Sequence, residues 1–265
     1  LKSVNWVQDL WFCHLLGRTN LPFCPHAMWF WVYAFAVVFE AEGSGFFLTE
    51  EEIQQAMNGT NRSATGMAVS TRGNAVIPLI DGDAAMASLY DDISRARSGD
   101  YIHLMAWDLN LDMLLKPTIP NPTSTRFGDV LVAAIDRGVD LRVLLTDHSI
   151  MGVPDPRPVK MCRELNKRCH SAQNTCCVPD ARAVSASHHA KAWALAVGDE
   201  QLAYVGGMDM TSGRWDTSQH TPKDPTRALE PNWPYVFPWH DELFRVAGAA
   251  ADGVERTFWQ RWHDP

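Results

Sequence analysis

One stretch, Ser187 to Asp216, constrains this chain more than any other. It reads S-H-H-A-K-A-W-A-L-A-V-G-D-E-Q-L-A-Y-V-G-G-M-D-M-T-S-G-R-W-D. A strand points alternate side chains to opposite faces. His189, Lys191, Trp193, Leu195 and Val197 therefore share one face, and Ala190, Ala192, Ala194 and Ala196 the other. Four alanines on one face ask for a helix packed closely against them. Gly198-Asp199 turns the chain, Gln201 to Val205 returns as a second strand, and Gly206-Gly207 follows.

The opposite face opens with an imidazole and an ammonium, their Cβ atoms roughly 6–7 Å apart, as positions two residues apart on a strand must be. That spacing lets both reach one phosphate. A neutral imidazole is available near neutral pH as a nucleophile toward phosphorus. A lysine remains cationic and can hold the non-bridging oxygens. Glycines admit a ligand close to the backbone, and Asp209 can accept an imidazole N–H and fix its tautomer.

Strand and helix patterns alternate around this hairpin. Ala75 to Ile80 reads as a strand, followed by Met86, Leu89, Tyr90, Ile93 and Ala96 at helical spacing. Tyr101 to Trp107 is the next strand, and Phe127, Val130, Leu131, Ala134 and Ile135 mark a second helix. Val139 to Thr146 is a third strand, 156–169 a polar helix, Asp241 to Val246 a late strand, and Val254, Phe258 and Trp262 a closing helix. Such alternation predicts an α/β fold: a mixed, largely parallel sheet flanked by helices.

The 265 residues divide into three parts. Residues 1–48 are an N-terminal extension whose apolar run, 27–39, is shorter than the ~18–20 residues that span a bilayer. Its length and flank suit a signal peptide or anchor, or else a buried helix. Residues 49–71 are a short helix and linker: Thr49 and Glu52 stand at capping-box positions, and two sequons begin at Asn58 and Asn61. Residues 72–265 form the main lobe, which carries the hairpin.

Net charge is −8, and no run of Lys and Arg stands out. That argues against a nucleic-acid groove and against a polybasic patch for anionic lipid. None of the six cysteines forms C-x-x-C, so a structural zinc site is not expected there. On one helix Cys162 and Cys169 would lie about 10 Å apart along the axis, too far to bridge each other. Each could instead reach Cys176-Cys177; free buried thiols are the alternative. His103, His148, His170 and His240 are scattered, and no metal is assigned to them.

Taken together, the hairpin residues resemble the phospholipase D superfamily in its eukaryotic-type branch. His188-His189-Ala190-Lys191 stands for H-H-x-K, Val205 to Met210 for V-G-G-x-D-[LM], and Gly213 to Asp216 for G-R-W-D. Trp239-His240-Asp241 and Gln260-Arg261-Trp262 are similar to the end of that family's first lobe. One position departs. The family's acid, five residues after the lysine, is Ala196 here; Asp199, three further on, is either its replacement or a turn residue.

The resemblance implies two H-x-K lobes facing one another, a phosphohistidine intermediate, and no metal or cofactor. It makes His189 the nucleophile, Lys191 the phosphate clamp and Asp209 an orienting acceptor, with Asp199 a further catalytic candidate and Gly206 and Gly207 lining the substrate. The expected reaction is hydrolysis or transfer of a glycerophospholipid headgroup at a membrane surface, by a secreted or membrane-associated protein. No second H-x-K occurs, so the chain reads as the N-terminal lobe of a two-lobe enzyme. The alternatives are a homodimeric phospholipase D-like endonuclease and a non-catalytic lipid-binding lobe.

Overall fold

The computed structural model describes Thr49, Glu51, Glu52, Gln55 and residues 71–147, 156–169, 175–180, 188–227 and 238–263. The apolar run 27–39, both sequons, His148 and His170 lie outside the described residues. The capping box at the start of the short helix is present. Thr49 N–H donates to Glu52 Oε2 at 2.7 Å, and Glu52 N–H returns to Thr49 Oγ1 at 3.2 Å.

Among the described residues seven strands make one sheet: β1 (Ala75–Ile80), β2 (Tyr101–Ala106), β3 (Asp140–Thr146), β4 (Cys177–Asp180), β5 (Ala192–Val197), β6 (Glu200–Gly206) and β7 (Glu242–Ala247). Their order is β1-β7-β6-β5-β2-β3-β4. Among the described residues four α-helices accompany them: α1 (Asp81–Arg95), α2 (Phe127–Asp136), α3 (Pro156–Asn166) and α4 (Ala250–Trp262).

The α/β class and the mixed sheet agree with the sequence expectation, but the emphasis on parallel pairing needs correction. Only β2–β3 and β3–β4 pair in parallel; every other neighbouring pair is antiparallel. The cause is insertion. β1 and β2 run the same way, joined through α1, but the antiparallel strands β5, β6 and β7 occupy the space between them. Pro78 and Pro179, which cannot donate to a ladder, both sit on the strands at the two sheet edges.

Face assignment in β5 follows its alternation. Trp193, Leu195 and Val197 join the main core with Met86, Leu89 and Ile93 of α1 and Phe127 and Leu131 of α2. Cys162 and Leu165 of α3 belong to the same cluster. On the opposite face Ala190 and Ala192 pack with Phe258 of α4, together with Met105 and Leu144. The small side chains thus let α4 approach the sheet, which also stacks His103 on Phe258 as a core histidine.

A paired charge cluster sits where α1 meets β6 and β7. Asp92 of α1 accepts from Tyr204 Oη at 2.6 Å, from Arg245 Nε at 2.7 Å and from Arg95 at 2.6 Å. Burial pushes the Asp92 carboxyl up, yet the bonds from Arg245, Tyr204 and Arg95 outweigh it and hold the group below the ordinary carboxylate range. Two disulfides tie α3 to the β4 segment: Cys162–Cys177, with Cα atoms 4.7 Å apart, and Cys169–Cys176, at 6.1 Å.

Candidate active site

The chemically active side chains gather at one edge of the sheet, where β2, β3, β4 and β6 end and where β5 and β7 begin. Open α/β sheets bind ligands outside the carboxyl ends of their strands. Here the backbone register brings the end of β2 beside the start of β5 (Met105 opposite Ala192) and the end of β6 beside the start of β7 (Gly206 opposite Leu243).

Lys191, one residue before β5, is buried, and His189 is exposed. Trp107, one residue beyond β2, lies against both. Its ring centroid is 5.0 Å from that of His189, edge-on, and 5.1 Å from Lys191 Nζ. The two residues therefore face the same side of their strand, as the alternation requires.

Asp209 occupies a different role from the one its position suggested. Its Oδ2 lies 3.1 Å from Lys191 Nζ and 3.6 Å from Arg214, and its Oδ1 accepts the Asp108 N–H at 3.1 Å. Both oxygens are engaged with cations and backbone, so the expectation that it accepts an imidazole N–H is corrected: it neutralises the lysine. Two segments are zipped to make this fit. Leu109 bridges Met210, Asn110 N–H donates to Met210 O at 2.8 Å, and Asn110 Nδ2 reaches Ser212 Oγ at 3.2 Å.

Asp199 is a turn residue. It is exposed in the two-residue β5–β6 turn, with Val197 opposite Glu200 and Ala192 opposite Val205. That turn is the hairpin's far end, roughly 20 Å from Lys191 at about 3.3 Å per strand residue. Its candidacy as a catalytic acid is therefore withdrawn.

Gly206 and Gly207 are required by packing rather than by a free anion cradle. A Cβ on Gly206 would run into the backbone oxygen of Glu242, and one on Gly207 into the Asp241 carboxylate. The Gly207 N–H is already given to Glu242 O at 3.1 Å. His188 is turned the other way: its side chain is 3% exposed and its Nε2 lies 3.7 Å from Asp180 Oδ2, which also takes Arg261 at 3.1 Å.

A second cluster stands at the same edge and was not apparent from the sequence. Asp216, fully buried, accepts from Arg227 at 2.6 Å, from the Trp239 N–H at 2.8 Å and from the Thr217 N–H at 2.9 Å, and pairs with His220 Nδ1 at 3.1 Å. Burial raises its carboxyl, but His220 and the Thr217 and Trp239 N–H groups, with Arg227, hold it below the usual range. Beside it, His240 Nδ1 lies 2.8 Å from Asp81 Oδ1. Arg214 joins the two clusters, stacking on the Trp239 ring at 3.6 Å. A cavity of about 640 Å³ between α2 and α3 includes Asp108, Arg126, Arg157 and Lys160 in its walls; Lys191 and Asp209 do not line it, although Asp108 in its wall donates to Asp209.

The family model for phospholipase D matches residues 93–265. Among curated proteins the chain is 26% identical over 214 residues to phospholipase D C of Dictyostelium discoideum, covering 71% of this chain and 13% of that protein. It is 27% identical over 190 residues to phospholipase D zeta 1 of Arabidopsis thaliana, covering 70% and 17%. The chain thus spans less than a fifth of the length of either relative. Among solved structures, the phospholipase D family member Nuc from Salmonella typhimurium superimposes with a TM-score of 0.43 at 16% identity, covering 72% of this chain and 95% of Nuc.

Proposed function

From the premise that the chain belongs to the phospholipase D family, we propose that it supplies one half of a phosphodiesterase site acting on glycerophospholipid at a membrane surface. The observation that carries the proposal is the Trp107 contact with both an exposed imidazole and a buried ammonium. An exposed His189 can reach a phosphodiester, while Lys191 is held where it can meet the non-bridging oxygens.

In this reading His189 forms an N–P bond as the P–O bond to the headgroup alcohol breaks. The leaving oxygen takes a proton from the histidine of a second H-x-K lobe. Water then attacks phosphorus, the N–P bond breaks, and phosphatidic acid leaves; an alcohol in place of water gives transfer. Lys191 and the partner lobe's lysine offset the charge that moves onto phosphate oxygens. Asp209 holds Lys191 in place between substrates.

The paired half-site comes from a second lobe of the same polypeptide, or from a second copy of this chain. We place the protein in an oxidising compartment, secreted or at a membrane, on the support of the two disulfides among the described residues.

The test is His189→Asn in the full-length protein, assayed by headgroup release from phosphatidylcholine vesicles, with circular dichroism as the fold control. The expected result is loss of at least about a thousandfold, as for removal of a covalent nucleophile. Residual activity within tenfold of wild type removes His189 from the role. Lipid binding that persists with no release by the wild-type protein would support a binding lobe instead.

A further inference from the structure

Arg214 ends a line of touching groups that starts at His189. His189 and Lys191 share Trp107, Lys191 and Arg214 share Asp209, and Arg214 lies on Trp239. Lys191 Nζ stands 3.1 Å from Asp209 Oδ2, and the Arg214 guanidinium stands 3.6 Å from the same oxygen. One carboxylate thus sits between two cations and cannot neutralise both. Lys191 and Asp209 are buried, whereas the Arg214 side chain is 21% exposed, so Arg214 is the member of the three that a ligand can meet.

We propose that Arg214 is a second phosphate-binding cation of this half-site, taking a non-bridging oxygen of the same phosphodiester that Lys191 holds. The proposal rests on the reading of His189 and Lys191 as a phosphodiester site, and adds a residue that the H-x-K spacing does not reach. Arg214 acts by touching the substrate, not by holding another residue in place.

The guanidinium keeps its donors for such a contact. Its carbon lies 3.6 Å from the centre of the Trp239 ring, so the ring covers one side of it and the N–H groups at its edge remain for an anion. At 3.6 Å the approach to Asp209 is an ion pair outside hydrogen-bonding range. Among the described residues no acceptor takes a hydrogen bond from the Arg214 side chain. A guanidinium with its fork unspent matches phosphate oxygens two at a time.

The backbone beneath it is fixed by other contacts. Arg214 closes the short 3-10 turn Ser212–Arg214, and its N–H donates to Thr211 O at 3.0 Å. Asn110 Nδ2 ties this turn to the segment after β2 through Ser212 Oγ. From the other side α1 presses close: a Cβ on Gly82 would stand 2.6 Å from Arg214 O, and the Asp83 N–H donates to Asp216 O at 2.9 Å. Trp239 is anchored in turn by its N–H to Asp216 Oδ2 and its ring N–H to Asp241 Oδ2. A cation on so constrained a base gives up little freedom when it binds.

The experiment titrates tungstate, a tetrahedral oxyanion standing in for phosphate, into the full-length protein by calorimetry, beside headgroup-release kinetics on phosphatidylcholine vesicles. Arg214→Gln is expected to weaken tungstate at least about tenfold, as for loss of a charge-assisted contact. It should also raise KM about tenfold with kcat within about threefold, because the contact exists in ground state and transition state alike. Arg214→Lys keeps the charge without the fork and should recover part of both losses, a rescue that a merely structural arginine would not show. Lys167→Gln, which removes an exposed cation just past α3, should change neither. Wild-type protein that binds tungstate but releases no headgroup sinks the phosphodiesterase reading, while the tungstate affinities of the Arg214 variants still decide this one. Where the glutamine variant does not fold, the lysine variant carries the test, with an affinity clearly below wild type expected. No tungstate binding by the wild-type protein, an Arg214→Gln affinity within twofold of wild type, an Arg214→Lys affinity equal to wild type, or equal losses in the two variants overturns the proposal.

Discussion

Lys191 and Asp209 form a buried ion pair, with Nζ 3.1 Å from Oδ2 and side chains 5% and 2% exposed. A lone charge at that depth is costly, whereas the pair neutralises itself. Removing one partner should therefore hurt more than removing both. Asp209→Leu and Lys191→Met are each expected to lower unfolding stability by about 3–5 kcal/mol, and the double variant by less than the sum. Urea denaturation of the four proteins measures the coupling, and additive effects would show that the pair is not a unit. In an activity assay Asp209→Leu should lose turnover as well, because Lys191 is no longer held beside Trp107.

The Asp92 cluster predicts an acid limb of stability. The folded carboxyl titrates below its unfolded value of about 3.9. The stability it contributes is thus complete above that pH and is lost as pH falls through the folded pKa. Between about pH 4 and pH 2, Asp92→Asn should show a shallower fall in Tm than wild type, starting from a lower value at pH 7. Some slope remains in the variant, since Asp216 is also held low. An unchanged slope would assign the acid limb to other carboxylates.

The disulfide pair predicts sensitivity to reductant confined to one corner. Cys162–Cys177 spans 15 residues and encloses Cys169–Cys176, which spans 7. Asn166 supports the same turn, its Oδ1 accepting the Cys176 N–H at 2.9 Å and the Cys177 N–H at 2.8 Å. Replacing Cys162 and Cys177 together by alanine should cost about 3 kcal/mol, the chain-entropy value for a 15-residue loop. Hydrogen exchange should rise in α3 and β4 while β5 and β6 stay protected. Protection unchanged in α3 would show that packing alone holds it.

Much of this architecture was legible because its signals are local. The β5–β6 hairpin shows in alternation and a Gly-Asp turn, and α1 and α2 in apolar residues three and four apart. Strand β4 was missed: it is four residues long, contains Pro179, and is held by β3 and two disulfides rather than by propensity. The placement of β5 to β7 between β1 and β2 is a long-range property that alternation does not encode. The same holds for the site. Spacing put His189 and Lys191 on one face, but Trp107 and Asp81 reach the edge only through folding, across some eighty residues or more. The one local hint of the second cluster was His220, four residues after Asp216 in the G-R-W-D segment.

Gly206 and Gly207 make a final pair of substitutions with distinguishable consequences. At Gly206 the added methyl meets backbone, the Glu242 carbonyl and the Leu243 Cα at 2.9 Å, and backbone in a sheet yields little. Gly206→Ala should therefore separate β6 from β7 and destabilise the protein by about 1–3 kcal/mol or more, an overpacking cost. At Gly207 the methyl meets the Asp241 carboxylate, a side chain that can rotate away. Rotation breaks the Trp239 Nε1 bond to Asp241 Oδ2 at 3.2 Å, and Trp239 is the ring on which Arg214 stacks. Gly207→Ala is thus expected to lose less stability than Gly206→Ala but to weaken substrate turnover through Arg214. Thermal melts and headgroup release measured on both variants check the contrast, and equal stability losses would mean that Asp241 is as immovable as the strand beside it.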